Sequence, residues 1–110
     1  MQKTSLTALA REQLELALAA PAGRSSKTVY GGHEKILRQT LIAMRAGEEL
    51  AEHSNPGEAT VHVLVGRVNL RAGDVAWSGW IGDLIIVPDA KHSLEAVEDA
   101  VILMTVAKHR

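Results

Sequence analysis

The sequence predicts an all-β domain, an antiparallel β-barrel preceded by one N-terminal α-helix. From residue 27 onward the segments are short and rich in Val, Ile, Leu and Thr. Turn residues separate them about every ten positions, a spacing typical of β-sandwiches and barrels. Before residue 27 lies one stretch dense in helix-forming residues. At 110 residues the chain is long enough for one domain and too short for two.

The helix is predicted over residues 5–20, SLTALAREQLELALAA, which begins with a polar residue and is followed by Pro21. Its apolar side chains recur at helical spacing on one face, and this set is Leu6, Leu9, Leu14, Ala17 and Leu18. We interpret the helix as packed on the barrel wall, with a dimerisation arm as the alternative. The following PAGRSS is predicted as a linker. The chain thus divides into a helix and linker, 1–26, and a barrel, 27–110.

The barrel segment predicts eight or nine strands, over residues 28–30, 36–44, 49–52, 59–64, 67–72, 75–78, 83–87, 92–97 and 101–107. A tight turn is expected at Asn55-Pro56-Gly57, and WSGW, residues 77–80, is predicted to form a hairpin corner. Arg38 and Gln39 interrupt an otherwise apolar strand, so one of them must face the interior. The inward one needs a hydrogen-bond partner on a neighbouring strand or a ligand.

Composition excludes several classes of function. The absence of cysteine rules out disulfides and thiolate chemistry. Twelve basic and thirteen acidic residues are scattered along the chain, and only three residues are aromatic, which argues against nucleic-acid binding. No phosphate-binding loop or serine nucleophile elbow occurs. The N-terminus is unlike a secretory signal and no apolar run could span a membrane, so a cytoplasmic location is expected.

Two segments carry the most specific pattern. Residues 47–66, GEELAEHSNPGEATVHVLVG, begin and end with glycine and hold His53 after a five-residue gap. Residues 82–92, GDLIIVPDAKH, hold Pro88 and end at His92. This pair resembles the two signature segments of the cupin superfamily, in particular small single-domain RmlC-like cupins. The resemblance implies a jelly-roll barrel, or double-stranded β-helix, often with one divalent metal ion such as Zn, Ni, Fe or Mn.

The sequence departs from the cupin pattern at several ligand positions. The second histidine position is Asn55, which offers only a neutral carbonyl oxygen, and the glutamate position is Ala59. In the second segment the inner glycine is Ala90, and the histidine comes one residue early. Glu58 precedes the glutamate position by one residue, and a β-bulge at residues 56–57 would turn it inward. The resemblance therefore implies His53 and His92 as metal ligands, with Asn55 and Glu58 as ligand-binding candidates beside them. The polar interruption of the apolar strand adds Arg38 and Gln39 as ligand-binding candidates.

Three functions remain open at this stage. The first is a small-molecule binding or accessory module with a degenerate metal site. The second is a metal-dependent enzyme, a dioxygenase, isomerase or lyase, acting on a small polar substrate. The third, expected if leucine and valine fill the barrel, is a sensor or regulator without a pocket. Exposed strand edges and the two tryptophans predict a homodimer. The remaining histidines, His33, His62 and His109, are predicted to lie outside the site.

Overall fold

The protein is one α-helix followed by nine β-strands in the computed structural model, which describes residues 2–54 and 57–108. The helix is α1 (Leu6–Ala19). The strands are β1 (Arg24–Tyr30), β2 (Leu37–Met44), β3 (Glu49–His53), β4 (Gly57–Val65), β5 (Arg67–Ala72), β6 (Val75–Trp80), β7 (Leu84–Ile86), β8 (His92–Ala96) and β9 (Ala100–Lys108). Within these residues, no helix is both long enough and apolar enough to cross a bilayer.

The strands form two antiparallel sheets. The first has five strands in the order β1-β2-β9-β4-β7, and the second has four in the order β3-β8-β5-β6. Apart from the β1–β2 and β5–β6 pairs, neighbours within each sheet are not consecutive along the chain, as in a jelly roll. The predicted all-β class and the single N-terminal helix are confirmed.

The main core lies between the sheets. Alternate residues of β4 and β8 point into it because successive side chains of a strand face opposite sides. The two sheets contribute Ala59, Val61, Val63, Ile102 and Val106 from one side and Val68, Leu70, Leu94 and Ala96 from the other. Without any phenylalanine, aliphatic side chains fill this space. The core holds the two sheets together.

The helix packs on the outer face of the five-stranded sheet, as its apolar stripe predicts. Ser5 caps its N-terminus by accepting a hydrogen bond from the backbone N–H of Ala8 at 3.2 Å. A second apolar cluster joins Ala10 and Ala17 to residues of β2 and β9. The predicted stripe is wrong at Leu18, which is 44% exposed. The helix buries Gln13 instead, whose side-chain oxygen accepts a hydrogen bond from the Ser25 hydroxyl.

The differences from the predicted boundaries that matter most are in β1 and β6. Strand β1 begins at Arg24, inside the predicted linker, because Arg24 pairs with Met44 and the pairing continues along β2. Strand β6 continues to Trp80, so the two tryptophans lie in a strand and not at a hairpin corner. Asn55 and Pro56 of the predicted tight turn lie outside the described residues, and Gly57 is the first residue of β4.

Candidate functional site

Two histidines meet at one end of the four-stranded sheet. His53 ends β3 and His92 begins β8, and the two residues are direct cross-strand partners. Their ring centroids lie 4.5 Å apart with the planes inclined by 57°. These are the two histidines that the sequence singled out, and the structure brings them together.

A β-bulge turns His53 toward His92. Leu50 pairs with Leu94 and packs against the main core, so Leu50 faces the interior. His53 lies three residues further on, at a position that a regular strand would turn outward. The register shifts by one residue between Leu50 and His53, which restores the inward parity. The bulge therefore lies in β3, ahead of residues 56–57, where the sequence suggested one.

His92 is almost completely buried, with 1% of its surface exposed. It alternates with Leu94 and Ala96, both in the main core, so its ring faces the interior. Its Nδ1 lies 3.0 Å from the backbone oxygen of Ala90. Because a carbonyl only accepts, this Nδ1 carries the proton and donates it. In the neutral ring the Nε2 lone pair is therefore free.

His53 is exposed but holds the same tautomer. Its Nδ1 lies 2.8 Å from the backbone oxygen of Ala51, again two residues earlier in the chain. In its neutral form each imidazole thus donates through Nδ1 to its own strand and keeps Nε2 as an acceptor or ligand. A backbone carbonyl that accepts from the far nitrogen is one of the usual ways in which proteins orient a metal-binding histidine.

The Nε2 atom of His92 is buried and has no hydrogen-bond partner among the described residues. A buried polar atom without a partner costs about 1–3 kcal/mol, so such atoms need an explanation. The Nε2 atom of His92 is an acceptor that faces the interior, and the Nε2 atom of His53 is a second free acceptor beside it. Such a pair suits a bound cation, or a ligand that donates hydrogen bonds. Sequence reasoning identified this residue and could not see its unpaired nitrogen.

Arg38 and Gln39 are separated by the sheet. Arg38 pairs with Val106, a core residue, so Arg38 faces the interior and Gln39 faces outward. Gln39 donates a hydrogen bond to the Thr105 hydroxyl at 3.2 Å. Within the parts of the chain that the structure describes, the Arg38 guanidinium has neither a hydrogen bond nor an ion pair. Of these two residues, the arginine is therefore the inward one, a choice that the sequence left open.

Arg38 also shares a cross-strand row with Ala59. Both residues pair with Val106, from opposite sides of β9. Their Cα atoms are therefore two strand spacings apart, about 10 Å, a distance that an arginine side chain largely spans. Ala59 is the position that corresponds to the cupin glutamate. In the cupin pattern a glutamate carboxylate at the Ala59 position would reach the metal ion. In this protein the same row holds the cationic side chain of Arg38 instead.

Glu58 does not join the histidines. It pairs with Ala107 on β9 and is exposed, whereas its neighbour Ala59 is buried in the core. Strand β4 alternates regularly here, so no bulge turns the Glu58 carboxylate inward. Asn55 lies outside the described residues, as does His109. His62 faces away from the core between Val61 and Val63, and His33 is exposed, as predicted for both.

A cleft opens between β1 and β2 of one sheet and β3 of the other. Its cavity has a volume of about 420 Å³ and is lined by Arg24, Ser25, Ser26, Thr40, Ile42 and Leu50. Ser26 pairs with Ile42, an inward residue, so the Ser26 hydroxyl also faces inward. The sequence did not predict this side of the cleft, because the start of β1 was placed too late. The correct start, at Arg24, was hidden by the linker-like composition of PAGRSS.

Comparison with solved structures gives clear matches to this fold. A conserved protein of unknown function from Streptococcus pyogenes is 27% identical, with a TM-score of 0.74, over 83% of this chain and 79% of that chain. A cupin superfamily protein from Desulfitobacterium hafniense is 17% identical, with a TM-score of 0.77, over 99% of this chain and 94% of that chain. An RmlC-like cupin from Desulfovibrio desulfuricans is 26% identical, with a TM-score of 0.67, over 76% of this chain and 81% of that chain.

The chain folds as a small cupin-superfamily domain. No protein-family model matches the sequence, and no curated protein matches it.

The cupin fold implies a metal ion, and the donor set of this cupin fits one poorly. The described residues contain no group of three or more His, Cys, Asp or Glu side chains able to hold an ion. Catalytic zinc sites use three protein ligands, and the histidine pair provides two. The inward Arg38 would also repel a cation that approached it. The histidine pair by itself is therefore an incomplete metal site.

We expect His92→Leu to stabilise this cupin by about 1 kcal/mol. The substitution removes a buried unpaired nitrogen, which costs about 1–3 kcal/mol, and loses one hydrogen bond worth about 0.5–1.5 kcal/mol. Urea unfolding followed by circular dichroism measures the change. His62→Leu, on the outer face of the same barrel, is the matched control and should change stability little. A clear loss of stability in His92→Leu would show that the ring is fully partnered.

Proposed function

We propose that this cupin is a small-molecule binding module whose recognition elements are the His53–His92 pair and the inward Arg38. The observation that carries the proposal is the free Nε2 of His92, which is buried and faces the interior. Buried polar atoms in protein cores usually have a hydrogen-bond partner, and a bound ligand would supply one for this nitrogen. On this proposal the ligand approaches through the cleft beside β1, β2 and β3, since the space between the sheets is otherwise filled by the apolar core.

The side chains favour a small hydroxy acid. Two neutral imidazoles with free Nε2 lone pairs accept hydrogen bonds, and ligand hydroxyl groups donate them. A guanidinium without an internal partner binds a carboxylate, with which it forms paired, charge-assisted hydrogen bonds. The hydroxyls of Ser26 and Thr40 at the cleft add further polar contacts. A molecule with both a carboxylate and hydroxyl groups would use all of these elements.

A metal-dependent enzyme remains the second candidate, because the shared tautomer of the two histidines also suits metal ligation. The two candidates differ in what they predict for purified protein. A resident catalytic ion should copurify at about one per chain, whereas the binding module should carry far less. Elemental analysis of protein purified without chelator or added metal distinguishes them.

We expect hydroxy acids to raise the melting temperature of this cupin. A thermal-shift series with malate, gluconate and succinate tests the recognition of the hydroxyl group separately from that of the carboxylate. Succinate is the comparison, since it has carboxylates without a hydroxyl group. Stabilisation should be largest for the two hydroxy acids. It should disappear in His53→Ala and in Arg38→Gln, and it should persist in His62→Ala, whose histidine faces outward. No shift with either hydroxy acid, or an equal shift with succinate, would count against the proposed ligand class.

The predicted cytoplasmic location stays a prediction. Fractionation of cells that express the full chain from its own gene tests it.

A further inference from the structure

The inward face of β1 and β2 differs from the other inward faces of the barrel. The pairing of β1 with β2 defines it, since Arg24 lies opposite the buried Met44 and Ser26 lies opposite Ile42. The inward residues that β4, β5 and β9 contribute to the main core are all apolar. On β1 and β2 the inward face instead carries a polar strip, which consists of Arg24, Ser26, Thr28, Arg38 and Thr40.

The polar strip has a cation at each end. Arg24 is level with Met44 at one end of β2, and Arg38 lies near the other end. Positions 38 and 44 of an extended strand are about 20 Å apart. The hydroxyl groups of the strip lie between these two levels. A ligand that lies along the strip would therefore meet a guanidinium, then hydroxyl groups, then a second guanidinium.

The Arg24 guanidinium is held at the mouth of the cleft. The Arg24 side chain is exposed and lines the cleft, and its Nη1 donates a hydrogen bond to the backbone oxygen of Glu49 at 3.2 Å. Because β1 and β3 are the end strands of their sheets, this bond crosses the opening between the sheets. In the described part of the chain the one ion pair joins Arg45 to Glu48, so no carboxylate neutralises Arg24. Its other N–H donors are left for a ligand.

We propose that Arg24 binds a second anionic group, and that the ligand is a polyhydroxy chain with an anionic group at each end. This role rests on the proposed function, in which Arg38 binds the first carboxylate and the histidine pair accepts from ligand hydroxyl groups. A guanidinium forms paired, charge-assisted hydrogen bonds with a carboxylate or a phosphate. The serine and threonine hydroxyls of the strip both donate and accept, which suits the hydroxyl groups along such a chain.

The distance between the two arginines sets the length of the ligand. Each arginine side chain covers several ångströms of the gap of about 20 Å, and a hydrogen bond covers about 3 Å at each end. The remainder suits an extended sugar acid of about six carbons and is too long for a four-carbon diacid. The cleft, with a volume of about 420 Å³, has room for a molecule of this size.

The test is calorimetric titration at physiological salt with four probes. Gluconate has one anionic end, glucarate has a carboxylate at both ends, and phosphogluconate has a phosphate at its far end. Tartrate, a four-carbon diacid with hydroxyl groups, controls for double charge without the length. The parent should bind glucarate or phosphogluconate at least about tenfold more tightly than gluconate, and the tighter of the two identifies the second group. Tartrate should show no such gain.

Variants on β1 assign the preference to one side chain. Arg24→Gln should bind the singly and doubly anionic sugar acids alike. Arg24→Lys keeps the charge without the paired geometry, so the preference should fall several-fold without vanishing. Lys27→Gln is the matched control, because Lys27 lies opposite Leu41, a residue of the helix-covered face, and so removes the same charge from the outer side of the strand. It should keep the full preference. Circular dichroism checks the fold of each variant.

The outcomes separate this role of Arg24 from the proposed function. If gluconate binds and neither doubly anionic sugar acid binds more tightly, the role of Arg24 is wrong and the proposed function stands. The same holds if tartrate gains as much, or if the preference is unchanged in either Arg24 variant. If none of the sugar acids binds the parent, the proposed function fails and the role of Arg24 fails with it.

Discussion

Replacing Gly66 with alanine should lower the free energy of unfolding by more than about 3 kcal/mol, a large loss for the addition of a single methyl group. Gly66 joins β4 to β5 with φ at +74°, a conformation that alanine adopts at a cost. A Cβ atom at this position would lie 2.1 Å from the backbone oxygen of Asp99 and 3.1 Å from the Cα of Ala100. Because both neighbours belong to the backbone, no side-chain rotation relieves the contact.

Gly73→Ala is the matched control for this prediction. Gly73 also has a positive φ, at +59°, but nothing lies within 4 Å of the added Cβ. It should therefore lose only the conformational cost, about 1–2 kcal/mol. Urea unfolding of the parent and both variants separates the steric contact from the backbone strain. Equal losses in the two variants would contradict the structural explanation.

The glycines explain why the fold could be predicted while the chemistry could not. The three motif glycines, Gly47, Gly66 and Gly82, all have positive φ angles, at 90°, 74° and 89°. The chain needs glycine there for its turns whatever the barrel binds. The signature therefore survives changes at the ligand positions, and it identifies the architecture independently of activity.

The geometry of the histidine pair could not be predicted from the residues around His53, because it depends on pairing with a distant strand. Whether His53 faces inward is decided by the bulge in β3, which exists only relative to the register of β8, some forty residues later in the chain. The sequence suggested a bulge too, but at residues 56–57, where proline and glycine mark an irregular backbone. Ala51 and Glu52 give no such signal.

Arg38 and Gln39 illustrate the same limit. Strand parity established that one of the two faces inward, and the apolar residues around them are compatible with either choice. Pairing with β9 decides it by placing Arg38 opposite the buried Val106. Once that pairing is known, the inward cation in the same cross-strand row as Ala59 bears on the proposed function, because it disfavours a metal ion and favours an anionic ligand.

Asn55→His should raise the affinity of this cupin for Zn²⁺ or Ni²⁺ by at least about 100-fold. Asn55 lies outside the described residues, so the expectation rests on the sequence: positions 53 and 55 would share a face in a continuous strand, and the cupin pattern has histidine at both. The substitution adds a third imidazole to the pair that the structure shows, and three protein ligands are the number that typical catalytic zinc sites use. Calorimetric titration of the parent and the variant measures the gain.

Two further proteins make that titration decisive. His53→Ala in the Asn55→His background removes one of the three imidazoles and should return the affinity to that of the parent or below. Arg38→Gln in the same background removes the inward positive charge and should strengthen binding further, because a cation approaching the histidines is no longer repelled. If Asn55→His binds neither metal better than the parent, position 55 does not share the face of His53, and the resemblance to the cupin metal site ends with the fold.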